Sequence, residues 1–82
     1  MDNLALRKSV SEIVGRYLAD LDGEVPSKGL YKVFINDMDY AVYRFVFIRH
    51  SKHQSNATKT LGISRATFRK RLIELDLHEV GA

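Results

Sequence analysis

Hydrophobic residues recur every three or four positions near the start of the chain, with polar residues between them. The apolar row consists of Leu6, Val10, Ile13, Val14, Tyr17, Leu18 and Leu21. This period places the row on one face of an amphipathic helix. The pattern predicts a helix from about Ala5 to Asp22, with Asp2 or Asn3 supplying the N-cap oxygen and Gly23 marking its end.

A loop and a second, longer helix are predicted next. Two glycines and the single proline fall within residues 23–29, which is typical of a connecting loop. Residues 33–35 and 45–48 are rich in β-branched and aromatic side chains and, taken alone, resemble strands. Helical spacing and the lack of Gly or Pro from Leu30 to His50 favour one helix instead. The row with this spacing is Phe34, Met38, Ala41, Phe45 and Ile48.

The second helix carries apolar residues on two sides. Val33, Tyr40 and Phe47 repeat every seven residues on a face that the first row does not occupy. We expect the first helix to cover one side and a second copy of the chain to cover the other, because monomers rarely expose large apolar patches. A monomer with exposed aromatic residues is the alternative. The predicted dimer core contains Val10, Ile13, Tyr17, Phe34, Met38 and Phe45.

The C-terminal third has the pattern of a helix-turn-helix. A short helix is expected from Gln54 to Leu61, a sharp turn at Gly62, and a second helix from Arg65 to Leu75 capped by Ser64. The tail from Leu77 to Ala82 is expected to be frayed. The side chains expected to pack together are Ala57, Leu61, Ile63, Phe68, Leu72 and Leu75. We therefore predict an all-α single domain over 1–82, with dimerisation helices in 5–50 and the helix-turn-helix in 54–76.

Composition and charge narrow the function. The chain has 82 residues, no Cys and a net charge of +3, and its longest apolar run is too short to cross a bilayer. These features favour a cytoplasmic protein that is not exported. From Tyr40 to Ile73 the sequence contains no Asp or Glu, but it contains eight Lys and Arg residues. This segregation favours a polyanionic partner, with an ordinary solvated basic face as the alternative.

The last helix carries the residues best suited to double-stranded DNA. Small side chains near its start allow entry into a major groove, where Arg65 is placed to reach a guanine edge and Lys70 a base edge or a phosphate. The helix-turn-helix pattern also fits a structural hairpin, which is the alternative. Phosphate contacts are expected from Lys52, Lys59, Arg69 and Arg71, and a phosphate seat is expected around His53, Gln54 and Ser55.

From Leu6 to Leu77 the chain resembles the bacterial Fis (factor for inversion stimulation) family of DNA-binding proteins. The resemblance rests on LRKSV at 6–10, LY at 30–31, QS at 54–55 and GISRATFRK at 62–70. It implies an intertwined homodimer of four-helix subunits that bends DNA and reads degenerate sites with A/T-rich centres partly by DNA shape. It also implies base contacts from Arg65 and Lys70, supported by Ser64 and Thr67, and backbone contacts from His53, Gln54, Ser55 and Asn56.

The chain departs from the family pattern at several positions. Ile73 and Glu74 stand where the family usually has two lysines, and Asn56 and His53 replace a basic residue and an asparagine. Each lost phosphate contact lowers the salt dependence, so more salt-tolerant binding is expected. Ala41 replaces a proline, which predicts a straighter second helix. No counterpart of the family's N-terminal β-hairpin arm precedes Leu6, so stimulation of DNA invertases is not expected.

The resemblance predicts a nucleoid-associated protein and transcriptional regulator without enzymatic activity or cofactor. RNA polymerase or other DNA-bound proteins are further expected partners. His50 and His53 are three residues apart, but no Cys or second pair accompanies them, so a metal site is not expected. Two alternatives stay open. One is the DNA-binding domain of a larger enhancer-binding activator, against which Met1 and the early first helix favour a complete small protein. The other is a helical dimerisation or adaptor module.

Overall fold

The computed structural model describes residues 3–25 and 27–78, and these residues form four helices and no strand. The helices are α1 (Leu4–Asp20), α2 (Leu30–Arg49), α3 (Gln54–Leu61) and α4 (Arg65–Glu74). The all-α prediction and the presence of four helices are confirmed. The chain divides between Leu30 and Tyr31 into two compact units. The predicted single domain over 1–82 stays a prediction.

The first unit consists of α1 and the residues that follow it. Asn3 occupies the N-cap position of α1, but its side chain makes no capping hydrogen bond, so that prediction is wrong for Asn3. Its backbone is already helical (φ −89°, ψ −2°), whereas a side-chain cap favours an extended conformation. Asp2 lies outside the described residues. The helix ends at Asp20, two residues earlier than predicted, because Asp22 and Gly23 adopt left-handed φ angles of 49° and 86°.

The second unit contains all of α2 except its first residue, and this helix runs for 20 residues and continues through Ala41 without interruption. Helix, rather than strand, is therefore confirmed for residues 33–35 and 45–48. The helix buries Tyr43 and Phe47 near its C-terminal end. No helix in the described part of the chain is long and apolar enough to span a membrane.

The core of the second unit lies between the end of α2 and the helix-turn-helix. Phe68 of α4 is fully buried, and its ring stacks on Tyr43 (centroids 5.7 Å apart) and meets Phe47 edge-on (5.4 Å). The buried cluster is Tyr43, Phe47, Ala57, Phe68, Leu72, Leu75 and Leu77, with Val46, Leu61 and Ile63 packed against it. The predicted small core of α3 and α4 is confirmed, and α2 contributes to it.

Two sequence-based expectations about this core are wrong. Phe47 was expected to require cover from the first helix or a second copy, yet it is 3% exposed because Phe68 of the same chain packs against it. The tail from Leu77 onward was expected to be frayed, yet Leu77 is 1% exposed and its backbone N–H donates to the Leu72 carbonyl at 2.7 Å. Residues 79–82 lie outside the described residues.

Candidate nucleic-acid interface

The turn between α3 and α4 has the local geometry that the sequence predicted. Gly62 ends α3 in a left-handed conformation (φ 75°, ψ 33°), and its N–H donates to the Thr58 carbonyl at 2.8 Å. Ser64 is extended (φ −75°, ψ 159°), and its Oγ accepts a hydrogen bond from the Thr67 N–H at 3.1 Å. A glycine at positive φ and a serine N-cap thus fix where α4 begins and how it leaves α3.

One side of α4 is buried and the other faces solvent. Phe68 and Leu72 fill the core, whereas Ile73 is 63% exposed on the outer side. The four residues predicted to contact bases, Ser64, Arg65, Thr67 and Lys70, are all exposed. The second unit therefore presents them on a surface that a large ligand can reach. Their predicted contacts with bases stay predictions.

The start of α3 differs from the start of α4 because it has no side-chain cap. His53 occupies the N-cap position with an extended backbone, but its side chain makes no capping hydrogen bond. The first N–H groups of a helix have no intrahelical partners, so an uncapped start is suited to an anion. His53 and Asn56 are exposed, and Gln54 and Ser55 are partly buried. Their predicted phosphate contacts stay predictions.

Arg69 extends from α4 toward this uncapped start. Its Nε donates to Oε1 of Gln54 at 3.1 Å, which links the two helices on their exposed side. The two side chains border an open cavity of about 430 Å³, which is also lined by Phe47, Lys52, Leu72, Ile73 and His78. The cavity brings the cationic side chains of Lys52 and Arg69 to one concave surface beside α3.

Arg71 lies on a different side of α4 and contacts α2. Its Nε donates to Oδ2 of Asp39 at 2.9 Å, and its Nη2 donates to Oδ1 of Asn36 at 2.8 Å. Its Nη1 also reaches Oε1 of Glu74, one turn further along α4, at 3.5 Å. The Arg71 side chain is 19% exposed. The predicted phosphate contact of Arg71 stays a prediction, although this network gives its guanidinium three protein acceptors.

The pKa of Tyr43 reports the same surroundings. Burial against α4 raises the pKa of this phenol above its ordinary value, and the negative charge of Asp39 raises it further. The Arg71 cation acts in the opposite direction, and Glu74 adds a smaller upward effect. The Tyr43 ring lies in the apolar core, and its hydroxyl is influenced by the charges of Asp39, Arg71 and Glu74.

The connection from α2 to α3 is tight and contains two strained residues. Ser51 and Lys52 adopt left-handed φ angles of 54° and 65°, and the Lys52 N–H donates to the Phe47 carbonyl at 2.8 Å. Nε2 of His50 lies 2.7 Å from Oγ1 of Thr60, which joins the end of α2 to α3. Among the described residues, no group of three or more His, Cys, Asp or Glu is placed to hold a metal ion.

The four-helix fold and the exposed surface of α4 define a protein of the helix-turn-helix class. The second helix of the motif, α4, is basic and exposed. Over 72 residues the chain is 40% identical to a Fis-like DNA-binding protein of Xylella fastidiosa, covering 88% of this chain and 79% of the relative. It is 34% identical to the DNA-binding protein Fis of Glaesserella parasuis over 67 residues, covering 82% and 67% of the two chains. The Actinobacillus succinogenes protein of that name is 33% identical over 70 residues, covering 85% and 70%.

The chain belongs to the Fis family, as these identities over most of its length show. The resemblance drawn from the sequence motifs is thereby confirmed. No family model matches the chain, and no solved structure matches it. The sequence did not reveal Asn36, Asp39 and Tyr43 as neighbours of α4. Their spacing of three and four residues along α2 was the available signal, since it places them on the helix face that also carries Phe47.

Proposed function

We propose that this protein binds double-stranded DNA through its helix-turn-helix, as a homodimer, and that it bends the DNA it binds. The observation that carries the proposal is the exposed basic face of α4, which displays Arg65 and Lys70 beside small side chains. This face lies within residues 40–73, where the sequence has no carboxylate and eight cationic residues. Such a surface suits a groove lined by phosphates, and an arginine near the helix start can fork onto a guanine.

The remaining predicted contacts fit a DNA backbone path beside α4. The uncapped start of α3 offers backbone N–H groups, and Arg69 and Lys52 border the cavity next to it. We assign phosphate contacts to His53, Gln54, Ser55, Asn56 and Arg69. Ile73 and Glu74 provide no positive charge at the C-terminal end of α4. The DNA affinity should therefore depend less on salt than is usual in the family.

The homodimer is supported by apolar surface that the single chain leaves exposed. Ile13 of α1 is 49% exposed, and Met38 and Phe45 of α2 are 38% and 70% exposed. Val10, Tyr17 and Phe34 are partly buried. A second copy is the partner we assign to these six residues, because a twofold dimer covers the same apolar residues on both subunits at once.

The two helix-turn-helix motifs of one dimer would bind DNA at two half-sites. We expect recognition to be partly indirect, with preference for A/T-rich centres that are easily compressed. The protein would act without catalysis, as a nucleoid-associated regulator of transcription that meets RNA polymerase or other DNA-bound proteins on the DNA.

The test is a mobility-shift titration on duplexes with A/T-rich and G/C-rich centres, with the mass of the protein measured in solution. A dimer should bind the A/T-rich duplex more tightly. Arg65→Ala should weaken that binding by about 30-fold or more, because the dimer loses two bidentate base contacts of ~1–3 kcal/mol each. Arg7→Ala, which removes an exposed arginine at the start of α1, is the matched control and should leave binding nearly unchanged.

The outcomes separate this proposal from its competitors. A dimer that ignores both duplexes at low salt would mean that the basic helix serves a protein partner, and the DNA-binding proposal would be wrong. Equal losses for the Arg65 and Arg7 variants would show general electrostatic attraction without a recognition helix.

A further inference from the structure

The Arg71 network joins the recognition helix α4 to α2 through directional hydrogen bonds. From this geometry we infer that Arg71 is a positioning residue: its bonds to Asp39 and Asn36 fix the angle of α4 on α2 and so set the spacing between the two half-sites. We call these three side chains the Arg71 clasp. The inference rests on the proposed function, since it concerns how the dimer selects DNA.

The clasp is the second of two attachments between these helices. The first is apolar: the Phe68 ring lies on Tyr43 and Phe47. Packing of this kind attracts without a strong directional preference, so by itself it allows α4 to pivot. The clasp acts one turn away on each helix, at Arg71 on α4 and at Asp39 on α2. Two attachments separated along both helices prevent the pivot that one alone would permit.

The chemistry of the clasp makes it stiff. A guanidinium presents its N–H donors in a rigid planar fork, and here Nε and Nη2 are divided between a carboxylate and an amide oxygen. Arg71 is 19% exposed and Asp39 34% exposed, so water screens the pair incompletely. The positive charge of Arg71 is also balanced locally by Asp39 and Glu74. A cation held in this way is poorly placed to neutralise a phosphate.

A small rotation at this joint would change which DNA the dimer fits. A helix of ten residues is about 15 Å long, so a pivot of roughly 10° about one end moves the other end by about 2.6 Å. In a twofold dimer the two recognition helices move in opposite senses, so the separation between their ends changes by up to about 5 Å. That change exceeds the roughly 3.4 Å rise of one base pair. Holding the angle therefore means holding the half-site spacing.

The experiment compares Asp39→Asn with Asp37→Asn. Both variants remove one negative charge from α2, two residues apart, and Asp37 is exposed and outside the clasp. The probes are duplexes selected by the wild-type protein from a random pool, then lengthened or shortened at the centre by one and two base pairs. The readouts are affinity at each spacing, and its dependence on salt.

We expect the wild-type protein to favour one spacing by about tenfold or more over a change of one base pair, the ordinary cost of a mismatched site. Asp37→Asn should keep that ratio and bind every duplex slightly better, because a repelling charge is gone. Asp39→Asn should gain the same general attraction but reduce the ratio to about threefold or less. Asn36→Ala, which removes one of the two acceptors on α2, should give an intermediate ratio.

Other results would overturn the inference. Asp39→Asn and Asn36→Ala proteins that match the Asp37→Asn ratio would show that the apolar attachment suffices. An Arg71→Ala protein whose salt slope falls by about two, one for each subunit, and whose spacing ratio is unchanged would identify Arg71 as a phosphate contact instead. Far-UV circular dichroism checks that each variant is folded, and Asn36→Ala supplies the milder change if Asp39→Asn is not. Wild-type protein that binds no duplex would overturn the proposed function, and the inference with it.

Discussion

Two neighbouring phenylalanines on α2 show how differently the chain treats its apolar residues. Phe47 is 3% exposed because Phe68 of the same chain packs against it, whereas Phe45, two residues earlier, is 70% exposed. The same contrast separates the helix-turn-helix, which shares a buried core with the end of α2, from α1, in which no residue is buried. One apolar region is thus completed within the chain and the other is left open.

This difference assigns separate tasks to the two regions. The closed core holds α3 and α4 in a fixed arrangement before any partner arrives, which is what a DNA-reading surface needs. The open region, which includes α1 and Phe45, exposes apolar side chains to water. Burying them against a second copy of the chain would lower the free energy of the dimer. Substitutions at Phe68, Phe45, Ser64 and Lys52 test this division, and the largest effect is expected at Phe68.

Truncation of Phe68 should strongly destabilise the closed core. Phe68→Ala removes a fully buried ring in contact with Tyr43 and Phe47, and such changes cost about 3–5 kcal/mol. Urea denaturation followed by far-UV circular dichroism should show the loss. Ile73→Ala on the same helix, at a side chain that is 63% exposed, is the control and should change little. Equal stability of the two variants would refute the assigned core.

The proposed dimer should dissociate when Phe45 is replaced by a charged residue. Phe45→Asp places a carboxylate in the proposed dimer core of both subunits, and a central aromatic is worth about 2 kcal/mol per copy. Two copies weaken the dimer by roughly a thousandfold, so sedimentation equilibrium should report a monomer. Val25→Asp, at an exposed loop residue, makes the same change and should leave a dimer. A Phe45→Asp protein with dimeric mass would contradict the assignment.

Ser64 caps α4 and is also a predicted DNA contact. Two substitutions separate its effect on stability from its effect on DNA binding. Ser64→Ala removes the oxygen that caps α4 and should destabilise the protein by about 1 kcal/mol. Ser64→Asp keeps a capping oxygen and favours the helix dipole, yet it places a negative charge at the DNA surface. Denaturation should therefore find the Asp variant as stable as wild type, and a mobility shift should find it much weaker. Normal DNA binding by Ser64→Asp would remove this position from the interface.

The smallest effect is expected at the joint between α2 and α3. Lys52 has a φ of 65°, a conformation that costs a residue with a side chain about 1 kcal/mol relative to glycine. Lys52→Gly should raise the free energy of unfolding by about 0.5–1 kcal/mol while weakening DNA binding through the lost cation. Lys59→Gly, inside α3, should instead destabilise. A less stable Lys52→Gly protein would show that this backbone carries no relievable strain.

The sequence predicted the local features best. The turn at Gly62, the cap at Ser64 and the bounds of α3 follow from short-range chemistry, and all three are confirmed. Tertiary partners were harder to foresee, because a row of apolar residues shows that a face is covered without showing by what. Phe47 was therefore assigned to the wrong partner, and Leu77 was treated as a frayed tail although it closes the core.

Polar contacts between distant segments were missed for a related reason. Arg71 and Asp39 are 32 positions apart, and among eight cations in the basic region nothing in the order of residues marks one as paired. The charge pattern therefore assigned Arg71 to phosphates together with its neighbours. A long-range pair becomes visible once the crossing of α2 and α4 brings its two members together.

The exposed side chain of Phe45 also bears on how the proposed regulator would respond to its own abundance. Where subunits are mostly dissociated, the amount of DNA-binding dimer grows with the square of the subunit concentration, so doubling synthesis raises occupancy of a weak site about fourfold. A cell could then turn a modest change in expression into a sharp change in the number of occupied sites. The exposed hydrophobic surface of the single chain would thereby determine how steeply the occupancy of DNA sites responds to the concentration of subunits.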